Sequence, residues 1–378
     1  MLRVKIKIYL VYIVSYCLRV FWIFPIKKNR IFFLSFNGKQ YSDSPYFIYN
    51  ELKGDGYDCI WGLDNPHVVQ EENVHIVKTG TFLYYYYFFT SKVVVINDAL
   101  NTYIPIRKKQ KVLNTWHGGG CFKKVGLTDP KCDEYTRFSI LYQAKKISAF
   151  ISSSDMFEKV AIHDSFGFDG EILKFGLPRN ASLFNSNSDI RNQVLKTLGI
   201  PDGNLVVLYA PTFRGNGSDD ANIPIIEELD FDRLKNTLQE KFNKQVSIIY
   251  RAHHNMRNYV PSNCINGTDY PNMQSLLMAA DILVSDYSSC IWDFSLQRRL
   301  VFVYAPDADW YNKDRGLFID IHTWPYVVAF SNDELMEKIR DLSESLYFEK
   351  FDEEMKKFNS YENIRSLEMT CSWIQEQM

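Results

Sequence analysis

Short apolar runs rich in β-branched and aromatic residues recur along the chain, separated by polar or amphipathic stretches, and this rhythm constrains the fold more than any other feature. Residues 31–36, 59–63, 74–77, 93–96, 112–116 and 149–152 form one series, and 205–209, 246–250, 282–285 and 300–304 a second. Strands that are apolar throughout belong to a parallel sheet covered on both faces, because neither face meets water. Helical spacing between them is clearest at 231–242, 273–280 and 334–342. The run FLYYYYFF (82–89) is apolar all round and is expected as a helix buried between sheet and neighbours.

Two series imply two halves. With 378 residues, 46% of them apolar, the chain can bury two cores. The expected class is α/β, with two Rossmann-like domains facing across a cleft and a hydrophobic or amphipathic N-terminal helix. The polar, turn-rich FNSNSD (184–189) marks the joint. The expected division is 1–28 as a membrane-associating segment, 29–185 as the first domain and 186–378 as the second. The last helix is a candidate to pack back on the first domain.

A net charge of −2 gives no basic field for a nucleic-acid backbone, so nucleic acid is not an expected partner. The seven cysteines are scattered and never form a CxxC pair. They are expected to be reduced, mostly buried thiols of a cytosolic protein, with neither a disulfide framework nor a zinc site. Residues 8–24 are almost wholly apolar or aromatic, with Arg3, Lys5 and Lys7 before them, Lys27, Lys28 and Arg30 after them, and Arg19 within. The run is somewhat short of the roughly 20 residues a spanning helix needs and has no small-residue cleavage site. It reads as an interfacial or shallowly inserted anchor on the cytoplasmic face of the cell membrane; the alternative is a helix packed on the protein's own core.

In a two-half α/β protein, ligands gather at the carboxyl ends of strands. The run 112–116 leads into His117, Gly118, Gly119 and Gly120, then Lys123 and Lys124. Glycines let backbone N–H groups approach an anion, lysines add positive charge, and histidine exchanges protons near neutrality. After 205–209 come Thr212 and Arg214, the latter suited to bidentate phosphate contact. After 246–250 come Arg251, His253 and His254; strand alternation lets Arg251 and His253 share a face, which favours His253. After 282–285 come Asp286, Ser288 and Ser289, with the serines placed to cap a helix or hold a phosphate. Arg315 adds a guanidinium in a later loop. The stretches 116–124 and 285–289 are expected to face each other across one positively charged cleft. The inventory contains no clustered carboxylates for a divalent metal, no GxSxG of a hydrolase and no GxxxxGK[ST] of a P-loop kinase. It suits a pyrophosphate donor and a hydroxyl acceptor.

Five ordered motifs, WHGGGCFKKVG (116–126), YAPTFR (209–214), YRAHH (250–254), DILVSDYSS (281–289) and DRGLFID (314–320), resemble those of the CDP-glycerol glycerophosphotransferases that build teichoic acids and related capsular polymers. The resemblance covers about two thirds of the chain. It implies a glycosyltransferase B architecture, with the donor held mainly by the C-terminal domain and the acceptor lipid approaching a membrane-facing N-terminal half. It also implies His117 as the acceptor-activating base and His253 as a second essential histidine, with Arg214, Ser288, Ser289 and Arg315 touching the donor's phosphates. The family usually continues W-H-G with Thr-Pro, whereas Gly119 and Gly120 stand here, so a more mobile loop is expected.

The function so implied is transfer of glycerol phosphate from CDP-glycerol to an undecaprenyl-diphosphate-linked glycan or polyol phosphate, with CMP as product and no cofactor. CDP-ribitol as donor, a sugar-nucleotide glycosyltransferase of the same architecture, and a non-catalytic scaffold binding a nucleotide or lipid precursor remain open. The lack of a further large domain points toward single addition over polymerisation.

Overall fold

The computed structural model describes residues 2–69, 71–185, 188–212, 227–252 and 260–378. The chain divides into two compact units: Met1–Gly119, Val125–Ala181 and Ser360–Met378 form the first, and Gly120–Lys124 with Ser182–Asn359 the second.

In the first unit the strands are β1 (Lys27–Leu34), β2 (Asp58–Leu63), β3 (His75–Lys78), β4 (Ser91–Ile96), β5 (Lys111–Asn114), β6 (Ala149–Ile151) and β7 (Glu171–Leu173). They form one parallel sheet in the order β3-β2-β1-β4-β5-β6-β7. Its helices are α1 (Leu2–Leu18), α2 (Asp43–Leu52), α3 (Phe82–Thr90), α4 (Glu134–Ala144), α5 (Asp155–Phe157, running on into a wider turn over Glu158–His163) and the C-terminal Ser366–Gln377. Strand alternation divides the core. Ile31, Phe33, Trp61, Val93 and Val95 meet α2 and the C-terminal helix on one face, while Phe32, Ile60, Val94 and Ile96 meet α3 on the other. Both faces are covered, which is why these strands read as unbroken apolar runs. The buried pair of Arg179 with Asp43, at 2.9 Å, ties the segment after β7 to the start of α2.

In the second unit the strands are β8 (Leu205–Tyr209), β9 (Val246–Tyr250), β10 (Ile265–Asn266), β11 (Ile282–Ser285), β12 (Leu300–Tyr304) and β13 (Val327–Ala329), in the order β10-β9-β8-β11-β12-β13, again parallel. Its helices are α6 (Ser188–Leu198), α7 (Phe231–Phe242), α8 (Met273–Ala279), α9 (Cys290–Ser295), α10 (Ala308–Asp314), α11 (Asn332–Arg340) and α12 (Glu344–Lys356); the C-terminal helix is α13. Helix α7 starts where the Asp230 carboxylate accepts the Arg233 N–H at 3.0 Å and stops at Asn243, whose φ is +49°. Asp230→Ala should therefore cost about 1 kcal/mol, read as a fall of roughly 2–4 °C in the melting midpoint; an unchanged midpoint would show that this cap adds nothing.

Some expected elements shift. Strand β5 ends at Asn114, not 116, because Trp116 turns the chain with φ +53° while its N–H donates to the Asn114 Oδ1 at 2.8 Å. Strand β1 spans Lys27–Leu34 instead of 31–36, since Phe36 and Asn37 also take positive φ. Helix α3 is not buried all round: Tyr84, Phe88 and Phe89 are in the core, but Phe82 and Leu83 are 63% and 54% exposed. All seven cysteines are free, with Cys121, Cys290 and Cys371 buried, Cys17 exposed and the remainder intermediate.

The N-terminal helix continues through a tight turn, and Leu2–Ile23 is long and apolar enough to cross a membrane by length and composition. It lies along α4: Lys7 stands over the Tyr135 ring, and Tyr12 meets Phe138 and Tyr142 edge-on. Phe21 plugs in against Phe82, Tyr85 and Phe89 of α3. Of α1, only Val11 and Ser15 are buried.

Candidate functional site

Each sheet reverses its strand order once, between β1 and β4 in the first unit and between β8 and β11 in the second. Loops leaving the two strands at such a point diverge and leave a crevice at their carboxyl ends, where ligands of this fold bind.

In the first unit, His117 stands three residues beyond β5. Its Nδ1 lies 2.7 Å from the carbonyl oxygen of Asn97, the residue after β4. A carbonyl only accepts, so Nδ1 carries the proton and, in the neutral ring, Nε2 holds the lone pair. The imidazole is fixed from both sides: it stacks on Trp116 at 4.3 Å between centroids and leans on Phe36 at 5.1 Å. The Asn97 side chain accepts the Phe36 N–H at 2.7 Å, so one buried residue positions both the ring's hydrogen-bond partner and its aromatic neighbour. Periodicity did not single out Asn97, and it placed Phe36 only as the end of the run 31–36, although both follow strands of the switch point. Gly118 and Gly119 are buried beside His117, and the Gly119 carbonyl accepts the Ser153 hydroxyl at 2.6 Å.

In the second unit, Thr212, Arg251, Asp286, Ser288 and Ser289 follow the neighbouring strands β8, β9 and β11, so the sheet brings them to one edge. Asp286 is buried and acts inward: its carboxylate accepts the N–H groups of Thr212, at 2.9 and 3.0 Å, and of Tyr287, at 2.6 Å. It thereby fixes the two loops at the switch point to each other. Arg251 braces the sheet edge, its Nη1 donating to the carbonyls of Gly267 and Tyr270 at 2.9 and 2.6 Å. Ser288 Oγ accepts the Cys290 N–H at 3.4 Å at the start of α9; Ser289 precedes the helix without a side-chain cap. Tyr287 stacks on Tyr311 of α10 at 3.7 Å between centroids and donates to Asp307 at 3.0 Å.

The segment Gly120–Lys124 belongs to this second unit and is stitched to the loop after α10. Lys124 N–H donates to the Gly316 carbonyl at 2.9 Å, and Phe318 N–H to that of Phe122 at 3.0 Å. The lysine pair and Arg315, whose Nε lies 4.0 Å from the Asp314 carboxylate, therefore share one region. A Cβ on Gly120 would collide with the Phe122 ring and lie 3.0 Å from the Trp292 Cβ, so close packing, beyond loop freedom, requires glycine there. Burial pushes the Cys290 thiol up to about 11 and raises that of Cys121 too, which removes both as nucleophiles near neutrality. Arg214 and His253 lie outside the described residues. Among the described residues, no group of three or more His, Cys, Asp or Glu side chains is placed to hold a metal.

Two Rossmann-type units, each with polar groups at its switch point, define a protein of the glycosyltransferase B class, and solved structures share that fold. The wall teichoic acid polymerase TagF superposes with a TM-score of 0.82, covering 99% of this chain and 96% of that one at 23% identity. A UDP-N-acetylglucosamine 2-epimerase assigned to Listeria monocytogenes shares the fold more distantly, with a TM-score of 0.53 at 11% identity over 93% of this chain and 96% of that one.

The chain belongs to the CDP-glycerol:poly(glycerophosphate) glycerophosphotransferase family, whose model matches residues 16–376. It is 29% identical over 345 residues to a teichoic acid poly(glycerol phosphate) polymerase of Bacillus spizizenii, covering 84% of each chain. It is 27% identical over 370 residues to a teichoic acid glycerol-phosphate transferase of Staphylococcus aureus, covering 92% of this chain and 93% of that one. A teichoic acid poly(ribitol-phosphate) polymerase of Bacillus spizizenii is 26% identical over 355 residues, or 88% of this chain and 54% of that longer one.

Proposed function

We propose that the chain transfers glycerol phosphate from CDP-glycerol to a hydroxyl of a lipid-linked glycan or polyol-phosphate acceptor, releasing CMP, in the synthesis of teichoic acid or a capsular polymer. One observation carries this reading: His117 Nδ1 is held by the Asn97 carbonyl, which leaves Nε2 as a fixed proton acceptor at the carboxyl edge of a switch point. Nε2 takes the proton of the acceptor hydroxyl as that oxygen forms a bond to the phosphorus bearing the glycerol. The bridging P–O bond breaks, and its electron pair leaves with CMP. No covalent enzyme intermediate is needed, so the protein's task is positioning and stabilisation of charge on the phosphoryl oxygens. The strand-end groups Thr212, Ser288, Ser289 and Arg315, with Lys123 and Lys124, are assigned to the donor's phosphates; Arg214 and His253 carry the roles their motifs imply.

The exposed apolar face of α1 supports a peripheral place on the membrane, where a prenyl-linked acceptor is confined. Tyr9 and Ile13 are 68% and 57% exposed, and Ile23, in the turn that continues the helix, is 75% exposed. Lys5, Lys7 and Arg19 along the helix, together with its side-on packing against α4, favour lying on the bilayer over crossing it.

Similar identities to glycerol and ribitol enzymes keep CDP-ribitol as the second donor. Incubation with CDP-glycerol, CDP-ribitol and several UDP-sugars should release CMP fastest from CDP-glycerol in the presence of acceptor. UDP release would reassign the chain as a glycosyltransferase, and donor binding with no nucleotide release would make it a scaffold.

A further inference from the structure

His117 lies at the carboxyl edge of the first sheet; at the opposite edge, beside the amino ends of β5 and β6, is a cavity of about 340 Å³. Its lining includes Arg19, Arg107, Lys108, Lys145 and Lys146, and among the described residues no carboxylate lines it or pairs with these cations. Three of the five already make contacts, Arg19 by standing 5.3 Å over the Trp22 ring. Arg107 donates to the carbonyls of Phe24, Phe89 and Trp22 at 2.7, 3.1 and 3.2 Å, which builds the wall. Lys146 reaches the Thr102 carbonyl and stands 4.3 Å from the Tyr142 ring centroid. Arg19, Lys108 and Lys145 remain exposed at the rim.

A helix end attracts cations on its own, and α4 ends at Ala144, so the lysines alone would not mark a site. The second observation is different in kind. Ser15 and Trp22 are among the lining residues, and Ser15 Oγ and Trp22 Nε1 are buried donors without a hydrogen-bond partner among the described residues; Ser15 is only 2% exposed. Gln110 Oε1, at the same wall, is a buried acceptor in the same condition. Buried polar atoms are normally satisfied, and orphaned ones point to a missing partner.

We propose that this cavity binds the phosphate of an anionic lipid headgroup and seats the first unit on the bilayer, at a site separate from the one at His117. Cations and two orphan donors suit the phosphate oxygens, and the Gln110 acceptor suits a headgroup hydroxyl, a combination found in phosphatidylglycerol. The apolar rim selects a lipid over a free anion: Tyr16, Val20 and Ile23, which bracket the lining residues Arg19 and Trp22, are 74%, 61% and 75% exposed. Burial draws the Lys146 ammonium down to about 8, and a bound anion would raise it again.

The proposal rests on the membrane reading only for the source of the phosphate. The full chain is tested for co-sedimentation with phosphatidylcholine vesicles with and without phosphatidylglycerol, and by melting with dihexanoylphosphatidylglycerol, dihexanoylphosphatidylcholine or inorganic phosphate. Lys108→Glu/Lys145→Glu should weaken binding to the anionic vesicles at least about tenfold. Lys196→Glu/Lys244→Glu, an equal charge change on exposed residues of the second unit, should weaken it far less. Dihexanoylphosphatidylglycerol should raise the midpoint of the wild type and not of the first double variant, with phosphatidylcholine inert and phosphate weaker. Ser15→Ala should lose affinity for the short-chain lipid, whereas a hydroxyl without a ligand role would leave affinity unchanged. Equal shifts from inorganic phosphate and the lipid would make this a free-anion site and overturn the proposal. Anionic-vesicle binding that ignores the first double variant would overturn it while sparing the membrane reading; a lipid-dependent shift without vesicle binding would overturn both the membrane reading and the seating of the unit on the bilayer, leaving only a headgroup-binding cavity.

Discussion

His117→Ala is expected to lower kcat for polyol-phosphate transfer by about 10²- to 10⁴-fold, the usual contribution of a positioned general base. The ring's orientation is set by a fixed carbonyl at 2.7 Å and by two aromatic neighbours, so proton acceptance belongs to Nε2 alone. The alanine variant also loses the ring contacts to Trp116 and Phe36. His117→Asn separates the effects, because its amide can still donate toward the Asn97 carbonyl yet offers no basic lone pair. It should be about as inactive as the alanine variant, with KM for the donor little changed. Activity near wild type in His117→Asn would reduce the residue to a structural support.

Asp286→Ala should be the more damaging change to the fold. The carboxylate is 3% exposed and accepts backbone N–H groups from Thr212 and Tyr287, one on each side of the second switch point. Its removal takes the carboxylate acceptor away from two backbone N–H groups, at about 1–3 kcal/mol each. Denaturant melts should therefore show a loss of roughly 2–6 kcal/mol in the second unit. Donor turnover should fall with it, because the Thr212 and Ser288 loops lose their common tether. Asp286→Asn keeps one acceptor oxygen and should fall between. An alanine variant with wild-type stability would mean that the tether is dispensable.

Legibility in the sequence followed burial. The runs 205–209, 246–250, 282–285 and 300–304 coincide with β8, β9, β11 and β12 because those strands are buried on both faces and bounded by polar turns. Edge strands β7, β10 and β13 have only two or three residues each, too few for a pattern to register. His117 stood out because histidine, glycines and lysines coincide after a strand. Asn97 did not, because its contact with the ring uses a backbone carbonyl and depends on Ile96 pairing with Asn114 across β4 and β5. The passage of Gly120–Lys124 into the second unit was equally hidden, since no change in composition marks it. Arg251 and Asp286 were legible as strand-end polar residues, but the roles seen for them, bracing a turn and joining two loops, come from partners distant in sequence. The chemistry itself was carried by five ordered motifs, not by periodicity.

The most direct test is mass-spectrometric identification of the product formed from CDP-glycerol and a short prenyl-diphosphate disaccharide. The expected result is an acceptor extended by glycerol phosphate, with one CMP released for each unit added, and neither product formed by His117→Asn. An unmodified acceptor, or an extended one formed equally well by His117→Asn, would contradict it.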